Sequence, residues 1–292
     1  MANVKSSLFS FKGYLTRKGC GGSFFLIFFM TYFLVLKESE AAFEFKEVGA
    51  RASALSGAYT ALCLDASSPY WNPAGLGALK KMEFMSFYNQ LFSLKEINFF
   101  GSSFALPTSF GTFGMAYSQL GTSLYKEQEF YLSHGIKLVR PIYLGYSLKG
   151  MFLTVDQFGI GKTFSLDAGM LSYLTPTFTL GLAYKNLNRA VIGKNEEPLP
   201  QGFIIGMSNK SIPGLTLTGE LERITFSPLT IKTGIEYEIT PSFKFRSGFS
   251  GAPLKFSGGF GLKLKKVELD YAYLHHETLL GTHAFSLYFK SR

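Results

Sequence analysis

Few side chains in this 292-residue sequence stand where they could do chemistry. "GIGKT", Gly159 to Thr163, has the glycines and the lysine of a phosphate-binding loop, but the first glycine of that motif would fall at Asp156 and no helical pattern follows. A glycine-rich outer loop is the expected reading. His275 and His276 adjoin Glu277, with His283 close behind; neighbours on a strand point to opposite faces, so at most one of the pair joins a shared metal site. His134 has the parity of Phe130, Leu132 and Ile136, and no acid or nucleophile partners it in that alternation. No catalytic residue, metal site or cofactor is expected, and the chain is not read as an enzyme.

Composition points towards lipid instead. At 47% hydrophobic the chain is too apolar for disorder, and its 17% of charged residues falls below the roughly 25% of a soluble domain. Aromatic residues make up 16%, an excess suited to membrane interfaces. The net charge of +9 is partly local. Residues 1–41 hold five basic and two acidic groups, and without them 24 basic groups face 18 acidic ones. These are scattered, with no run of five like signs, which excludes a nucleic-acid-binding arm.

The single long apolar run, "SFFLIFFMTYFLVL" from Ser23 to Leu36, would span roughly 21 Å as a helix, short of the ~30 Å hydrocarbon core. Basic residues precede it, and Ser39, Glu40 and Ala41 place small residues where a signal peptidase reads. Residues 1–41 are therefore expected to be an export signal. Cys20 would leave with it, and Cys63 then has no partner for an internal disulfide.

From Met82 onward the pattern alternates, broken every ten or so residues by turn signals. In "GLTLTGELER", Leu215, Leu217 and Leu221 oppose Thr216, Thr218, Glu220 and Glu222. About fourteen such segments of roughly ten residues begin near Met82, Glu96, Phe110, Gln128, Ile142, Lys162, Thr177, Gln201, Gly214, Leu229, Ser242, Leu254, Val267 and Gly281. The breaks alternate too. Those after even-numbered segments are short and usually contain proline (Pro107, Pro141, Pro176, Pro213, Pro241), while several others are longer and more polar, from Gln119, Thr154, Asn186 and His275. Short turns at one end and longer loops at the other describe an outer-membrane barrel with both termini on the periplasmic side. Periodicity alone leaves a soluble sandwich open. Strand length, the aromatic excess and the last segment, in which Phe285, Leu287 and Phe289 alternate almost to the end, favour the barrel. That segment resembles the C-terminal signal read by barrel-assembly machinery, an expected partner beside outer-membrane lipid.

The same parity turns Lys149, Asp167, Lys185, Glu220, Glu222, Lys232, Glu236, Lys244, Arg246, Lys263, Glu268 and Asp270 towards the lumen. Mixed signs imply ion pairs with a plug, because an unpaired charge in a narrow lumen is poorly solvated.

Fourteen strands enclose more space than side chains alone fill, and residues 42–81 do not alternate. "GARASALSGAYTAL" from Gly49 supplies small residues for close packing, and "DASSPYWNPAGLGAL" from Asp65 supplies sharp turns. The stretch reads as a plug arriving from the periplasmic side. Its Gly49 to Arg51, Gly57 to Ala61 and Tyr70 to Leu76 steps resemble the N-terminal hatch of the FadL family of outer-membrane transporters for long-chain fatty acids and other hydrophobic compounds. They are closer still to the PorV/PorQ-like branch. The resemblance implies an all-β protein of the cell outer membrane: a 14-stranded antiparallel transmembrane β-barrel over residues 82–292, with residues 42–81 as a hatch inside the lumen. It implies gating by Tyr70, Trp71, Asn72, Pro73, Ala74 and Gly75, and passive passage of a fatty acid-like hydrophobic ligand that leaves sideways through the wall. PorV-like members instead serve the secretion or attachment of surface proteins. Among the outer breaks only Asn186 to Gln201 has much length, so a smaller capture site, or none, is expected. For Asn72 and Pro73 the competing reading is structural, a hydrogen-bonded turn and its rigid start.

Overall fold

The computed structural model describes residues 42–139, 141–277 and 279–291, so the expected export signal at 1–41 lies outside the described residues. The alternating segments form β1 (Glu83–Gln90), β2 (Asn98–Thr108), β3 (Gly111–Gly121), β4 (Tyr125–Val139), β5 (Ile142–Val155), β6 (Gly159–Tyr173), β7 (Phe178–Lys185), β8 (Val191–Ile192), β9 (Glu197–Pro198), β10 (Gly202–Asn209), β11 (Leu215–Ile224), β12 (Thr230–Thr240), β13 (Phe243–Gly251), β14 (Leu254–Leu264), β15 (Val267–His276) and β16 (Thr282–Lys290). Two of these, β8 and β9, make a ribbon of their own, and the other fourteen close into one antiparallel barrel. Each starts close to where the alternation places it. The seam joins β1 to β16 from Glu83 opposite Lys290 to Gln90 opposite His283, and a Lys290–Glu83 ion pair at 3.3 Å sits at its end.

Which face meets lipid follows from exposure. In β11 Thr216, Thr218, Glu220 and Glu222 are buried, while Leu217 and Leu221 are exposed; Met115 (59%), Leu132 (55%) and Phe285 (48%) also face outward. A closed ladder satisfies its own backbone, and an apolar exterior is solvated by hydrocarbon. The chain is a transmembrane barrel of the outer membrane.

Two of the expected long loops are absent. β3 runs to Gly121 before β4 starts at Tyr125, and β5 runs to Val155 before β6 starts at Gly159. Residues that look loop-like by polarity, such as Lys126 and Glu127, continue the ladder opposite Gly121 and Leu120. The "GIGKT" stretch is likewise the opening of β6, paired with β5, and not a loop. The connection over residues 186–201 is long, as expected, and carries β8 and β9.

Residues 42–81 pack inside the barrel as α1 (Ala50–Ala54), α2 (Ser68–Trp71) and a 3₁₀ turn at Pro73–Ala78. Their direction differs from expectation. Phe43 donates its N–H to Glu127 near the loop end of β4, whereas Gly77 lies against Ile136 near the turn end, so the segment crosses the lumen from the loop end to the start of β1.

The wall makes room for it with glycine. Gly135, Gly145 and Gly169 stand opposite one another across β4, β5 and β6, and Gly234 faces Gly248 across β12 and β13. A Cβ at Gly145 or Gly169 would stand under 3.0 Å from Pro73 or Asn72, and one at Gly248 equally close to Leu55. Backbone therefore lies on backbone. Gly145→Val should lower barrel stability by about 1–3 kcal/mol through overpacking, seen as an earlier loss of the folded, fast-migrating band on heating. Gly150→Val, where only the Phe152 ring lies nearby at 3.6 Å, should leave that temperature nearly unchanged.

Candidate functional site

The six residues singled out in the sequence meet at one turn deep in the lumen. Asn72 is fully buried; its Nδ2 donates to Thr60 O at 3.2 Å and Met170 O at 3.0 Å, and its Oδ1 accepts from Ala74 N at 3.1 Å. That bond caps the 3₁₀ turn, which Pro73 starts with its φ already fixed. Gly75 allows the turn to lie against Cys63 O and Ser68 Oγ. Trp71 Nε1 donates to Val48 O at 3.1 Å, and Tyr70 places its hydroxyl 2.7 Å from both Ser102 O and Tyr117 O. Every side-chain polar atom of Tyr70, Trp71 and Asn72 is thus used within the protein.

Charge fixes the segment on the opposite side. Arg51 forms a bidentate pair with Glu236, at 2.8 Å and 2.9 Å, and Glu236 also accepts from Arg246 at 2.6 Å. Arg246, fully buried, continues to Asp270 and to Glu268. Glu220 accepts the N–H groups of Tyr59 and Thr60 at 3.2 Å and 2.9 Å, and Lys255 reaches Glu47 at 3.3 Å. Burial works against the charge on Glu47, but the Lys255 and Lys232 ammoniums outweigh it and hold the carboxyl at about 2. A carboxyl depressed in this way contributes stability at neutral pH that is lost only as pH falls towards that value. Lys263, grouped with the lumen charges by parity, is exposed near the turn end and joins none of these pairs, because β14 has by then passed the segment.

A cavity of about 40 Å³ remains at the loop end, lined by Phe43, Phe45, Tyr70, Phe99, Tyr131 and Lys149 among others. Over it folds the connection 186–201: Ala190, Ile192 and Leu199 bury themselves with Phe43 and Met151. β6 pairs with β7 only from Ala168 to Tyr173. Above that, Asn188 takes the place of a strand, its Oδ1 accepting from Leu166 N at 2.9 Å and its Nδ2 donating to Phe164 O at 3.0 Å. Sequence reasoning missed Glu127, Asn188 and the cavity role of Lys149. Glu127 hid in a polar stretch taken for a loop, although its parity with Glu129 and Tyr131 placed it inward. His134 stands apart on β4 and faces outward, stacked on Phe113 at 4.5 Å, while at the loop end of the paired β15 and β16 His276 meets Thr282 and His283 meets Tyr271.

No family model and no curated protein matches the chain. Solved structures do. A CymD monoaromatic hydrocarbon channel superposes with a TM-score of 0.67 at 13% identity, over 86% of this chain and 99% of that one. The Ralstonia pickettii toluene transporter TbuX gives 0.66 at 12%, over 86% and 100%. A Pseudomonas aeruginosa FadL homologue gives 0.59 at 10%, over 85% and 99%. The fold is that of FadL-type barrels. Such identities speak for fold, and a PorV/PorQ branch finds no counterpart among these structures.

Cys63 reports on the seating of the segment. It is buried beside Thr60 O and Asn72 O, and burial pushes its thiol well above the ordinary range. Arg51→Ala removes one side of a mostly buried ion pair, a loss of about 3–5 kcal/mol. Maleimide labelling of Cys63 should rise at least tenfold (~1.4 kcal/mol) in that variant; protection equal to the unaltered protein would show that the ion pair does not hold the segment.

Proposed function

We propose that the barrel provides a passive route across the outer membrane for hydrophobic small molecules of the fatty acid-like or hydrocarbon class, with residues 42–81 as its hatch. The observation that carries this reading is a lumen filled backbone-to-wall beneath an aromatic-lined cavity that faces the loop end. A molecule captured in the cavity passes only if the segment shifts. In this reading Asn72 to Gly75 are the anchoring turn, and Tyr70 and Trp71 are the rings that move with it. At the Asn188 seal β6 has a side chain in place of a strand partner, so sideways release there needs the 186–201 connection to withdraw. The neighbours named as a hydrocarbon channel and a toluene transporter support the same class of cargo.

The alternative, an accessory barrel for secretion or attachment of surface proteins, draws on the short connections 122–124, 156–158 and 252–253, which leave little loop over the mouth to build a capture groove. In either role β16, with Phe285, Leu287 and Phe289 outward, is the strand that assembly machinery engages.

Ser56 Oγ and Ser257 Oγ lie 2.8 Å apart, one on the segment and one on β14. Ser56→Cys with Ser257→Cys should form a disulfide on oxidation, stop uptake of labelled long-chain fatty acid or toluene, and release it again with reductant. Uptake that continues unchanged in the oxidised form rules out hatch gating; a deletion strain that loses a surface protein but keeps uptake points to the accessory role.

A further inference from the structure

The cavity beneath the 186–201 connection is not purely apolar. Lys149 is almost wholly buried, and its ammonium has one carboxylate neighbour, Asp167 Oδ1 at 3.2 Å; Asp167 Oδ2 is taken at 3.2 Å by Lys185, which also donates to Tyr70 O at 2.8 Å. Lys149 has no further polar partner among the described residues. The rings of Phe45 and Tyr131 flank it, with centroids at 6.0 Å and 5.8 Å. An ammonium carries three donors, so Lys149 faces a ring-lined cavity with donors to spare. Glu129, on the same lining, accepts from Ser118 at 3.3 Å and has the Tyr131 hydroxyl beside it, which leaves lone pairs on its two oxygens for a further donor. Its neighbour Glu127 is occupied by Lys46, Tyr125 and the Phe43 N–H.

Size and charge narrow the ligand. Each water needs ~10–15 Å³ of such space, so the 40 Å³ cavity holds about three waters; one small ring enters with a modest widening under the 186–201 connection, whereas a long acyl chain would have to displace the segment outright. Among the lining charges Lys46, Lys149 and Lys185 are balanced by Glu127, Glu129 and Asp167, with Glu44 besides, which gives an anion no net attraction. A neutral hydroxyl can accept from Lys149 and donate to Glu129 at once. A pure hydrocarbon would displace water from both groups and replace none of their hydrogen bonds.

Resting on the passage reading above, we infer that this cavity selects compact hydroxylated aromatics, the phenol class, with the ring among Phe43, Phe45 and Tyr131 and the hydroxyl between Lys149 and Glu129. The test is calorimetric titration of the detergent-purified barrel with phenol, toluene and benzoate, alongside uptake of labelled phenol, toluene and palmitate by cells with and without the barrel. Phenol should bind at least tenfold more tightly than either other ring, and Lys149→Met and Glu129→Gln should each erase most of that preference while leaving toluene binding within about threefold. If Lys149→Met does not assemble, Glu129→Gln alone decides. Toluene or benzoate binding as well as phenol overturns the inference and, with uptake intact, leaves the passage reading standing. Loss of barrel-dependent uptake for all three compounds overturns both.

Discussion

A sheet that closes on itself with apolar side chains outward must turn its polar side chains onto something other than bulk water, and here that something is the protein's own leading segment. Buried charges in a narrow bore need partners within a few ångströms. Arg51 supplies one to Glu236, the Tyr59 and Thr60 N–H groups supply two to Glu220, and Glu47 answers Lys255. The segment completes the inner surface of the barrel as a core completes a soluble domain.

Its two sides are held by different physics. Towards β4–β6 the hold is mainly close packing: glycines let Asn72 and the Pro73–Ala78 turn approach the strand backbone, and Asn72 Nδ2 adds a hydrogen bond to Met170 O. Towards β11–β15 the packing of Leu55 on Gly248 is joined by ion pairs through Arg51, Arg246 and their carboxylates. Close packing is short-ranged and fails after a small displacement, whereas charges attract over a longer distance. A segment that moves would therefore part from the β4–β6 glycines first and swing on its ionic side, opening space next to the aromatic cavity and the Asn188 seal.

Much of this was legible in the sequence. Period-two alternation fixes which side chains share a face, so the strand count, the start of nearly every strand and the inward set from Lys149 to Asp270, Lys263 excepted, follow from it. The turn at Asn72 and Pro73 was legible because few residues cap and start a helix in that way, and the structural reading of Asn72 matches its three hydrogen bonds. Other features had no local signal. Polar strand ends that rise past the membrane look like loops, which hid Glu127 and made an outer loop of Gly159 to Thr163. The path of residues 42–81 depends on contacts between positions 80 to 240 residues apart, such as Phe43 to Glu127 and Ala50 to Ser286, and no window of sequence contains both partners. The inward glycines were visible as letters, but only the paired register shows that they form a wall.

Whether the segment seals the bore can be measured directly as ion conductance of the purified protein in a planar bilayer. With residues 42–81 in place the barrel should show no sustained conductance, and a form lacking them should give a steady open pore. Steady conductance by the unaltered protein, equal to that of the shortened form, would contradict the sealed lumen on which the gating, the charge pairing and the cavity all rest.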